Sequence, residues 1–248
     1  MSTTRDATAS AEIDAEAQPA PCVRFDGVSL RRDGDGAVLR DLSFAIAPGS
    51  FHSLIGPAGS GKTSVLRLIC LAETPSRGVV QIFGRDAAAL RRPQRALMRR
   101  RIGAVFQPSA FIEHLSVRDN ASLGPRVVGR KPADYESDVE ELLAWTSLAD
   151  KADAPPAVLS TAEKQRLALA RAVANRPDIL LVDEPAAGLD AASAQRVLRL
   201  LRDLHRAGTT VILASRDADL AARSGYPVLQ LQEGRASLVD APALETAR

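Results

Sequence analysis

The sequence predicts an α/β fold in which a mixed or parallel sheet is joined to an inserted helical lobe. Short apolar runs typical of buried strands alternate with helical stretches along most of the 248 residues. Residues 112–158 are mostly helical in pattern and interrupt this alternation. Alternating strands and helices favour parallel pairing, because parallel neighbours are joined by long crossovers.

Local patterns place the individual elements. Residues 1–22 are rich in Ala, Ser, Thr and acidic residues without periodicity, so we expect a disordered tail there. Val23–Leu30 and Leu39–Ile46 alternate in hydrophobicity around a turn at Asp33–Gly36, which predicts two half-buried strands. The other predicted strands are Phe51–Ile55, Val79–Phe83, Ile102–Phe106, Ile179–Asp183 and Thr210–Ala214, and the predicted helices are Lys62–Leu71, Ala162–Asn175 and Ala191–Ala207.

Composition argues against several functional classes. The net charge of +2 is too small to indicate nucleic acid, and we expect no nucleic-acid partner. No window approaches 18 consecutive apolar residues, and the N-terminus lacks a signal-like apolar run. We therefore expect that the chain neither crosses a membrane nor is exported, and that any membrane role comes through a partner. Cys22 and Cys70 suggest no disulfide framework, which fits a reducing cytoplasm.

A glycine-rich loop between a predicted strand and a predicted helix indicates phosphate binding. Gly56–Thr63 matches the pattern G-x-x-x-x-G-K-[ST], in which glycines let backbone N–H groups turn towards phosphates. Lys62 is expected to reach the β- and γ-phosphates and Thr63 to offer its hydroxyl to Mg²⁺. A chance glycine-rich turn is the alternative. The predicted nucleotide-binding residues of this segment are Gly56, Pro57, Ala58, Gly59, Ser60, Gly61, Lys62, Thr63 and Ser64.

A second motif places two carboxylates at the end of a buried strand. Four apolar residues precede Asp183 and Glu184, and parallel sheets bind ligands at the carboxyl ends of their strands. Asp183 is expected to hold the Mg²⁺ shell and Glu184 to act as general base towards water. The alternative is an acidic pair that merely caps a helix.

Together these motifs resemble the ABC (ATP-binding cassette) ATPases. The residues that carry the likeness are Ala168–Pro185 and Gly188–Asp190, and it extends over about residues 23–240. The resemblance implies an ATP-binding domain at 23–240, with a mixed or parallel core sheet, an N-terminal antiparallel β subdomain and a helical subdomain near 112–165. It also implies MgATP as ligand and a dimer, with ATP sandwiched between the phosphate loop of one subunit and the signature sequence of the other.

Further roles follow from the family resemblance residue by residue. Gln107 corresponds to the glutamine that links the γ-phosphate and Mg²⁺ to the membrane partner. Asp190 corresponds to the aspartate at the interface between two cassettes, and Ser160 to the signature serine that reaches the opposite γ-phosphate.

Within the family, the chain is most similar to the FtsE cell-division cassettes, whose membrane partner is FtsX. The residues that carry this likeness are Leu68–Cys70, Thr74–Gly78, Arg100–Gln107 and parts of Asp217–Arg235. The resemblance implies an FtsX-like integral membrane subunit, a second cassette that we expect to be an identical chain, and a location at the cytoplasmic face of the inner membrane. Other exporter and importer cassettes share parts of these motifs and remain alternatives.

Three motifs depart from the family pattern, at four positions. The signature has Thr161 and Ala162 in place of two glycines, although Ser160 is present. Arg216 stands where the family has a histidine that contacts the γ-phosphate. Arg32 stands where the family has an aromatic residue that stacks on adenine, and a guanidinium plane can stack on a base as well.

These departures leave several functions open. One is a working ATPase that drives a membrane partner, and another is a slow or non-hydrolysing adaptor that switches on ATP binding. A third is a heterodimer in which another cassette supplies an intact signature. DNA-associated members of the family need long coiled coils or added domains that 248 residues do not provide.

Two groups of residues remain without an assigned role: an arginine cluster and the pair Phe111 and Ile112. An arginine cluster invites a membrane-surface or nucleic-acid interpretation, but a solvated helix face is favoured because no aromatic residues interleave with it. Phe111 and Ile112 are candidates for contact with a helix of the membrane partner, with core packing as the equal alternative. The cluster comprises Arg85, Arg91, Arg92, Arg95, Arg99, Arg100 and Arg101.

Overall fold

The computed structural model describes residues 20–32, 36–219 and 225–239. The tail predicted at 1–22 and the turn predicted at Asp33–Gly36 lie largely outside this part of the chain. The strands are β1 (Val23–Arg32), β2 (Gly36–Ile46), β3 (Phe51–Ile55), β4 (Arg77–Ile82), β5 (Arg85–Asp86), β6 (Ile102–Val105), β7 (Ile179–Asp183), β8 (Thr210–Ser215), β9 (Val228–Gln232) and β10 (Arg235–Val239). The α-helices are α1 (Lys62–Ile69), α2 (Arg92–Arg99), α3 (Val117–Ala121), α4 (Leu123–Val127), α5 (Glu136–Trp145), α6 (Thr161–Val173) and α7 (Ala191–Arg206), and short 3₁₀ turns lie at Pro132–Asp134, Ala149–Lys151 and Pro156–Val158.

The strands form two sheets. One is antiparallel, with the order β2-β1-β4-β5, and is the N-terminal β subdomain that the family resemblance implies. The other has the order β10-β9-β3-β8-β7-β6 and is parallel from β9 to β6, with β10 antiparallel at its edge. The predicted α/β class with a mixed sheet is therefore confirmed.

Strands β7 and β8 are inner strands of the larger sheet, and their burial fits this position. Every residue of both strands is buried, as expected for parallel strands covered by helices on both faces. The largest core cluster lies between the two sheets and includes residues of α1, so this helix is surrounded by apolar side chains. This core holds the start of α1, and with it the glycine-rich loop, at the carboxyl end of β3.

The packed part of the chain begins one residue earlier than predicted. Cys22, assigned to the tail from the sequence, is buried, and its backbone N–H donates to the carbonyl of Ile46. This hydrogen bond ties Cys22 to the end of β2, so Cys22 packs against the sheet although β1 itself begins at Val23.

The helical lobe has its own apolar cluster. Val117, Tyr135, Val139 and Leu148 are among its buried members, and α6 contributes to it through Leu167. The opposite face of α6 packs with β6 and β7 in a separate cluster. The helix that follows the predicted lobe therefore connects the lobe to the sheet.

Candidate nucleotide-binding site

The glycine-rich loop joins the end of β3 to the first residue of α1. Gly59 and Gly61 have φ angles of +75° and +103°, a region that favours glycine because other residues are strained there. A Cβ atom on Gly56 would lie 2.1 Å from the carbonyl oxygen of Leu231, so the loop packs too closely for a side chain at this point. Two kinds of constraint therefore explain the glycines: backbone conformation at 59 and 61, and close approach at 56.

The loop has the features of an anion cradle. The first N–H groups of a helix have no intrahelical acceptors and, with the helix dipole, favour a bound anion. Among the described residues, the buried hydroxyl of Ser60 has no hydrogen-bond partner, which leaves a donor for a ligand. These groups fit a nucleotide phosphate.

Lys62 is buried within this loop. Its Nζ donates to the carbonyls of Gly56 and Pro57 at 2.7 and 3.0 Å and lies 3.8 Å from Glu184 Oε1. Burial lowers the pKa of Lys62, whereas the nearby carboxylates of Glu184 and Asp183 oppose that shift. The loop thus holds the ammonium group beside the position where phosphates are expected.

Thr63 and Asp183 meet as the sequence predicts for a Mg²⁺ site. Thr63 Oγ1 donates to Asp183 Oδ2 at 2.7 Å, although the residues are 120 positions apart. The contact arises because Thr63 is in the first turn of α1 and Asp183 ends β7. A hydroxyl and a carboxylate are oxygen ligands of the kind that Mg²⁺ prefers, and this cation keeps its other positions for water and phosphate oxygens. Within the described residues there is no cluster of three or more His, Cys, Asp or Glu side chains suited to a metal ion.

Glu184 adopts an unusual backbone conformation directly after β7. Its φ angle is +49°, which costs a non-glycine residue about 1–3 kcal/mol and is characteristic of functional positions. Its N–H donates to the carbonyl of Ala214 on β8, and its own carbonyl accepts from Gln107 Nε2 at 2.7 Å. Gln107 is therefore brought to the same site from the end of β6.

Arg216 forms a contact that the sequence did not predict. Its Nε lies 3.2 Å from Glu184 Oε1, and its backbone N–H donates to Glu184 Oε2 at 3.2 Å. The predicted general base is thus bracketed by two cations, Lys62 and Arg216. The Glu184 side chain is 17 % exposed and that of Arg216 is 58 % exposed, so the arginine lies at the solvent edge of the site.

Arg32 lies close to the phosphate loop. Its Nη2 donates to Ser64 Oγ of α1 at 3.3 Å and to Glu73 Oε1 at 2.6 Å. Arg32 also lines an open cavity together with Gly59 of the loop. The sequence-based placement of Arg32 beside the nucleotide fits this geometry, whereas its ion pair with Glu73 was not foreseen.

Ser160 and Asp190 cap the N-termini of α6 and α7 through local hydrogen bonds. Ser160 forms a capping box with Glu163, and Asp190 accepts hydrogen bonds from Ser193. In the described part of a single chain, neither residue bonds to the phosphate loop. Their predicted roles concern a second cassette, so one chain does not test them.

Two surface features remain: the pair Phe111 and Ile112, and the arginine cluster. Phe111 packs partly into two apolar clusters and stacks with the Arg171 guanidinium, whereas Ile112 is partly exposed. In the arginine cluster, Arg101 pairs with Asp178 and lies over the Phe83 ring, and Arg95 donates to a backbone carbonyl. The structure assigns no ligand to either feature. Across the described residues, no helix combines the length and apolarity needed to span a membrane.

Comparison with known proteins places this geometry in a family. A family model described as ABC transporter matches residues 39–187. The cell division ATP-binding protein FtsE of Escherichia coli K12 is 36% identical over 212 residues, covering 86% of this chain and 96% of FtsE. The methionine import ATP-binding protein MetN of Thermobifida fusca is 40% identical over 186 residues, covering 75% of this chain and 58% of MetN.

Solved structures agree with the sequence comparisons. The dimeric post-hydrolysis structure of the ATP-binding cassette MJ0796, bound to ADP and Pi, superimposes with a TM-score of 0.81 at 28% identity. The match covers 88% of this chain and 98% of that one. A glycine-rich loop, a buried strand ending in two carboxylates and these similarities lead to one conclusion: the chain belongs to the ABC transporter family and has the fold of its ATP-binding cassettes.

Proposed function

We propose that this chain is the ATP-hydrolysing subunit of an FtsE-like membrane complex that acts in cell division. The observation that carries the proposal is the convergence of five side chains at the carboxyl ends of the parallel strands. They come from three separate segments of the chain and surround one glycine-rich loop: Lys62, Thr63, Gln107, Asp183 and Glu184.

Each residue has a role that its position supports. The loop N–H groups, the Ser60 hydroxyl and Lys62 bind the phosphates and balance their charge. Thr63 and Asp183 hold Mg²⁺, with Gln107 approaching the same region. Bound Mg²⁺ supplies charge neutralisation at the phosphate oxygens.

Glu184 is the proposed general base. Its backbone is fixed by Ala214 and Gln107, which orients the carboxylate towards the loop. A positioned base contributes about 10²–10⁴-fold to a rate. Arg216 provides a cation at the place where the family has histidine, and this cation is available to a γ-phosphate once Glu184 releases it.

The names of the relatives support a second cassette and a membrane subunit as partners. FtsE is a cell-division protein by name, and MJ0796 is dimeric in its solved structure. We therefore propose a second cassette, an identical chain in the simplest case, with Ser160 and Asp190 at the interface. An FtsX-like subunit would hold the pair at the cytoplasmic face of the inner membrane, where Phe111 and Ile112 are candidates for contact.

A second candidate function is a slow ATP-dependent switch. The ion pair between Arg216 and Glu184 favours it, because Arg216 is a permanent cation and Glu184 has to leave this contact before it can act on water. Thr161 and Ala162 favour it as well, since side chains stand where the family brings backbone close to phosphate.

Substitution of Glu184 distinguishes the two candidates. In a hydrolysing enzyme, Glu184→Gln removes the base while preserving shape, so phosphate release falls by about 10²–10⁴-fold and an ATP-bound dimer accumulates. Phosphate release and size-exclusion chromatography with MgATP, with and without the membrane partner, report both effects. Equal phosphate release from wild type and variant supports the switch, and absence of nucleotide binding by the wild type contradicts both candidates.

A further inference from the structure

Helix α2 and the residues that flank it present an exposed surface of one charge sign. From residue 87 to residue 112 the chain has six arginines and no aspartate, glutamate or lysine. Two of these arginine side chains are engaged by other groups: Arg101 pairs with Asp178, and Arg95 donates to the carbonyl of Ala87 at 3.2 Å. The other four are exposed and form no ion pair with any residue that the structure describes: Arg91, Arg92, Arg99 and Arg100.

The stability of α2 does not explain these charges. Arg91 and Arg92 lie at the N-terminus of the helix, where the helix dipole disfavours positive charge, and the first turn has no acidic residue. Arg95 and Arg99 are like charges four positions apart, an arrangement that weakens a helix. A solvated surface ordinarily mixes both signs of charge. The pattern therefore indicates that this face meets an anionic partner.

The same face carries an exposed apolar side chain. Leu97 is 58 % exposed, whereas its neighbour Met98 is buried and holds α2 against the core. Arginines beside an exposed leucine match the boundary between lipid headgroups and acyl chains, where cations contact phosphates and an apolar side chain inserts. Among the described residues, the large apolar side chains that are exposed are all aliphatic, so the surface offers no aromatic platform for nucleic-acid bases. A membrane surface is therefore favoured over nucleic acid.

The position of α2 in the fold agrees with a membrane surface. The helix leads directly into β6, the edge strand of the larger sheet, and the chain continues from β6 to Phe111 and Ile112. Since β6 has four residues, it spans about 13 Å. The arginine face and the candidate contact with the membrane subunit thus lie towards opposite ends of one edge strand. A cassette that meets its membrane subunit along this edge brings α2 close to the bilayer.

We propose that the exposed face of α2 binds the surface of an anionic phospholipid membrane. Arg92, Arg99 and Arg100 contact lipid phosphates, and Leu97 inserts among the headgroups. The inference goes beyond the proposed function, because it gives the cassette a lipid contact of its own in addition to the one through a membrane subunit. The placement of α2 near the bilayer rests on the proposed function, whereas the lipid contact itself is measurable without nucleotide or partner.

Vesicle sedimentation with the purified full chain tests the proposal. We expect binding to vesicles made of phosphatidylglycerol and phosphatidylcholine in equal parts, and no binding to vesicles of phosphatidylcholine alone. Binding should be present at about 0.1 M salt and lost at about 1 M, because the Debye length falls from about 10 Å to about 3 Å. Phosphate release from MgATP is measured separately without vesicles, so failure of the lipid contact and failure of the proposed ATPase are distinguishable.

Two pairs of substitutions locate the contact. A basic residue near an anionic surface strengthens binding by about 1 kcal/mol, a factor of about five, so Arg92→Gln combined with Arg99→Gln should weaken vesicle binding about 25-fold. Arg196→Gln combined with Arg199→Gln is the matched control, since both are exposed arginines of another helix, α7. We expect the control pair to change vesicle binding by less than about twofold, because charges beyond a Debye length from the lipid are screened.

Leu97→Ala tests whether the partner is a membrane or any polyanion. The substitution should weaken binding to anionic vesicles about three- to tenfold without changing its salt dependence, because apolar insertion is not screened. Double-stranded DNA at the same phosphate concentration should not displace the vesicles.

Three results would overturn the proposal. The first is equal binding to anionic and neutral vesicles, or binding to neither. The second is equal weakening by the α2 and α7 pairs, which would show that the whole surface and not this face attracts the lipid. The third is displacement of the vesicles by DNA together with unchanged binding in Leu97→Ala, which would identify a general polyanion site.

Discussion

Lys62 combines burial with a positive charge, and this combination needs a physical reason. Its side chain is 6 % exposed, and its ammonium is bonded only to loop carbonyls, with Glu184 at 3.8 Å. A buried cation without a close ion pair is costly. The cost is offset when a polyphosphate occupies the loop, so the residue is arranged for a ligand and not for the stability of the free chain.

We expect Lys62→Ala to reduce MgATP affinity by at least about tenfold, because a charge-assisted contact to phosphate is lost. Titration with a fluorescent ATP analogue measures the effect. Lys131→Ala serves as control, since Lys131 is exposed and lies in the helical lobe. Unchanged affinity in Lys62→Ala would contradict the phosphate-loop assignment.

The ion pair between Arg216 and Glu184 raises the question of whether this contact limits the rate of ATP hydrolysis. We expect Arg216→His to increase the rate of phosphate release, because an imidazole can be neutral at working pH whereas a guanidinium cannot. Combining Arg216→His with Thr161→Gly and Ala162→Gly should increase the rate of phosphate release further. The magnitude expected for freeing or orienting a general base is about tenfold or more.

Arg216→Gln is the informative control, since it removes the cation without adding an imidazole. A gain in Arg216→Gln equal to that in Arg216→His would attribute the effect to release of Glu184 alone. If the wild type hydrolyses ATP rapidly and both substitutions slow it, Arg216 assists the reaction and the interpretation of the departure as a loss is wrong.

Among the elements, α3 carries a side chain that organises the entry to the helical lobe. Asn120 is fully buried and accepts from the N–H of Ile112 at 2.9 Å. Its Nδ2 donates to the carbonyls of Ile112, Leu115 and Ser116. One amide thus satisfies four backbone groups in the segment between Gln107 and α3, which connects the site to the lobe.

We expect Asn120→Ala to lower the free energy of unfolding by about 2–4 kcal/mol, because a fully buried side chain is truncated and the part-buried hydrogen bonds of its amide are lost. Urea unfolding measures this loss, and limited proteolysis within 108–116 should become faster. Asn175→Ala is the matched control: Asn175 is half-buried and its side chain has no hydrogen bond among those described, so the expected loss is below about 1 kcal/mol. Equal losses in the two variants would show that the network adds no more than ordinary packing.

The elements also show which features a sequence can predict. Phe51–Ile55 and Ile179–Asp183 were predicted with the observed bounds, because a short apolar run ending in glycine or a carboxylate is a strong local signal. The strands β9 and β10 were not predicted as strands: each has only five residues, and β10 lies at the edge of the sheet. An apolar run with such an end is a strong local signal, whereas a short hairpin at the end of a sheet depends on neighbours that the local pattern does not contain.

The topology of the whole molecule explains the contacts of the site that the sequence did not predict. Thr63 and Asp183 were predicted to share a metal, because each belongs to a motif of known chemistry. The pair of Arg216 with Glu184 spans 32 positions and arises only because β7 and β8 are neighbours in the sheet. Long-range side-chain pairs of this kind have no local pattern, so they emerge only from the topology.

At the scale of the whole molecule, the phosphate loop lies where both sheets meet. A Cβ atom on Gly61 would lie 2.5 Å from Leu39 of β2 and 3.5 Å from Leu231 of β9. The backbone of Arg40 also donates to the carbonyl of Gly234, which links the sheets directly. A ligand on the loop therefore contacts a region that is supported from both sides.

We expect MgATP to raise the melting temperature of the entire domain. At a ligand concentration of about 100 times Kd, binding to the native state adds about 2.7 kcal/mol. For a domain of this size, that corresponds to an increase of about 5–10 °C in Tm. Far-ultraviolet circular dichroism follows the secondary structure of the whole domain, and the fluorescence of Trp145, the single tryptophan, follows the helical lobe. Because α6 packs against both the lobe and β7, the two transitions should coincide and shift together. Lys62→Ala should show at most about half of this shift at the same MgATP concentration, because a tenfold loss of affinity leaves about 1.4 kcal/mol of stabilisation. This difference separates binding at the loop from a general effect of MgATP. A Trp145 transition that stays in place while the sheets are stabilised would show that the lobe unfolds independently of the nucleotide site.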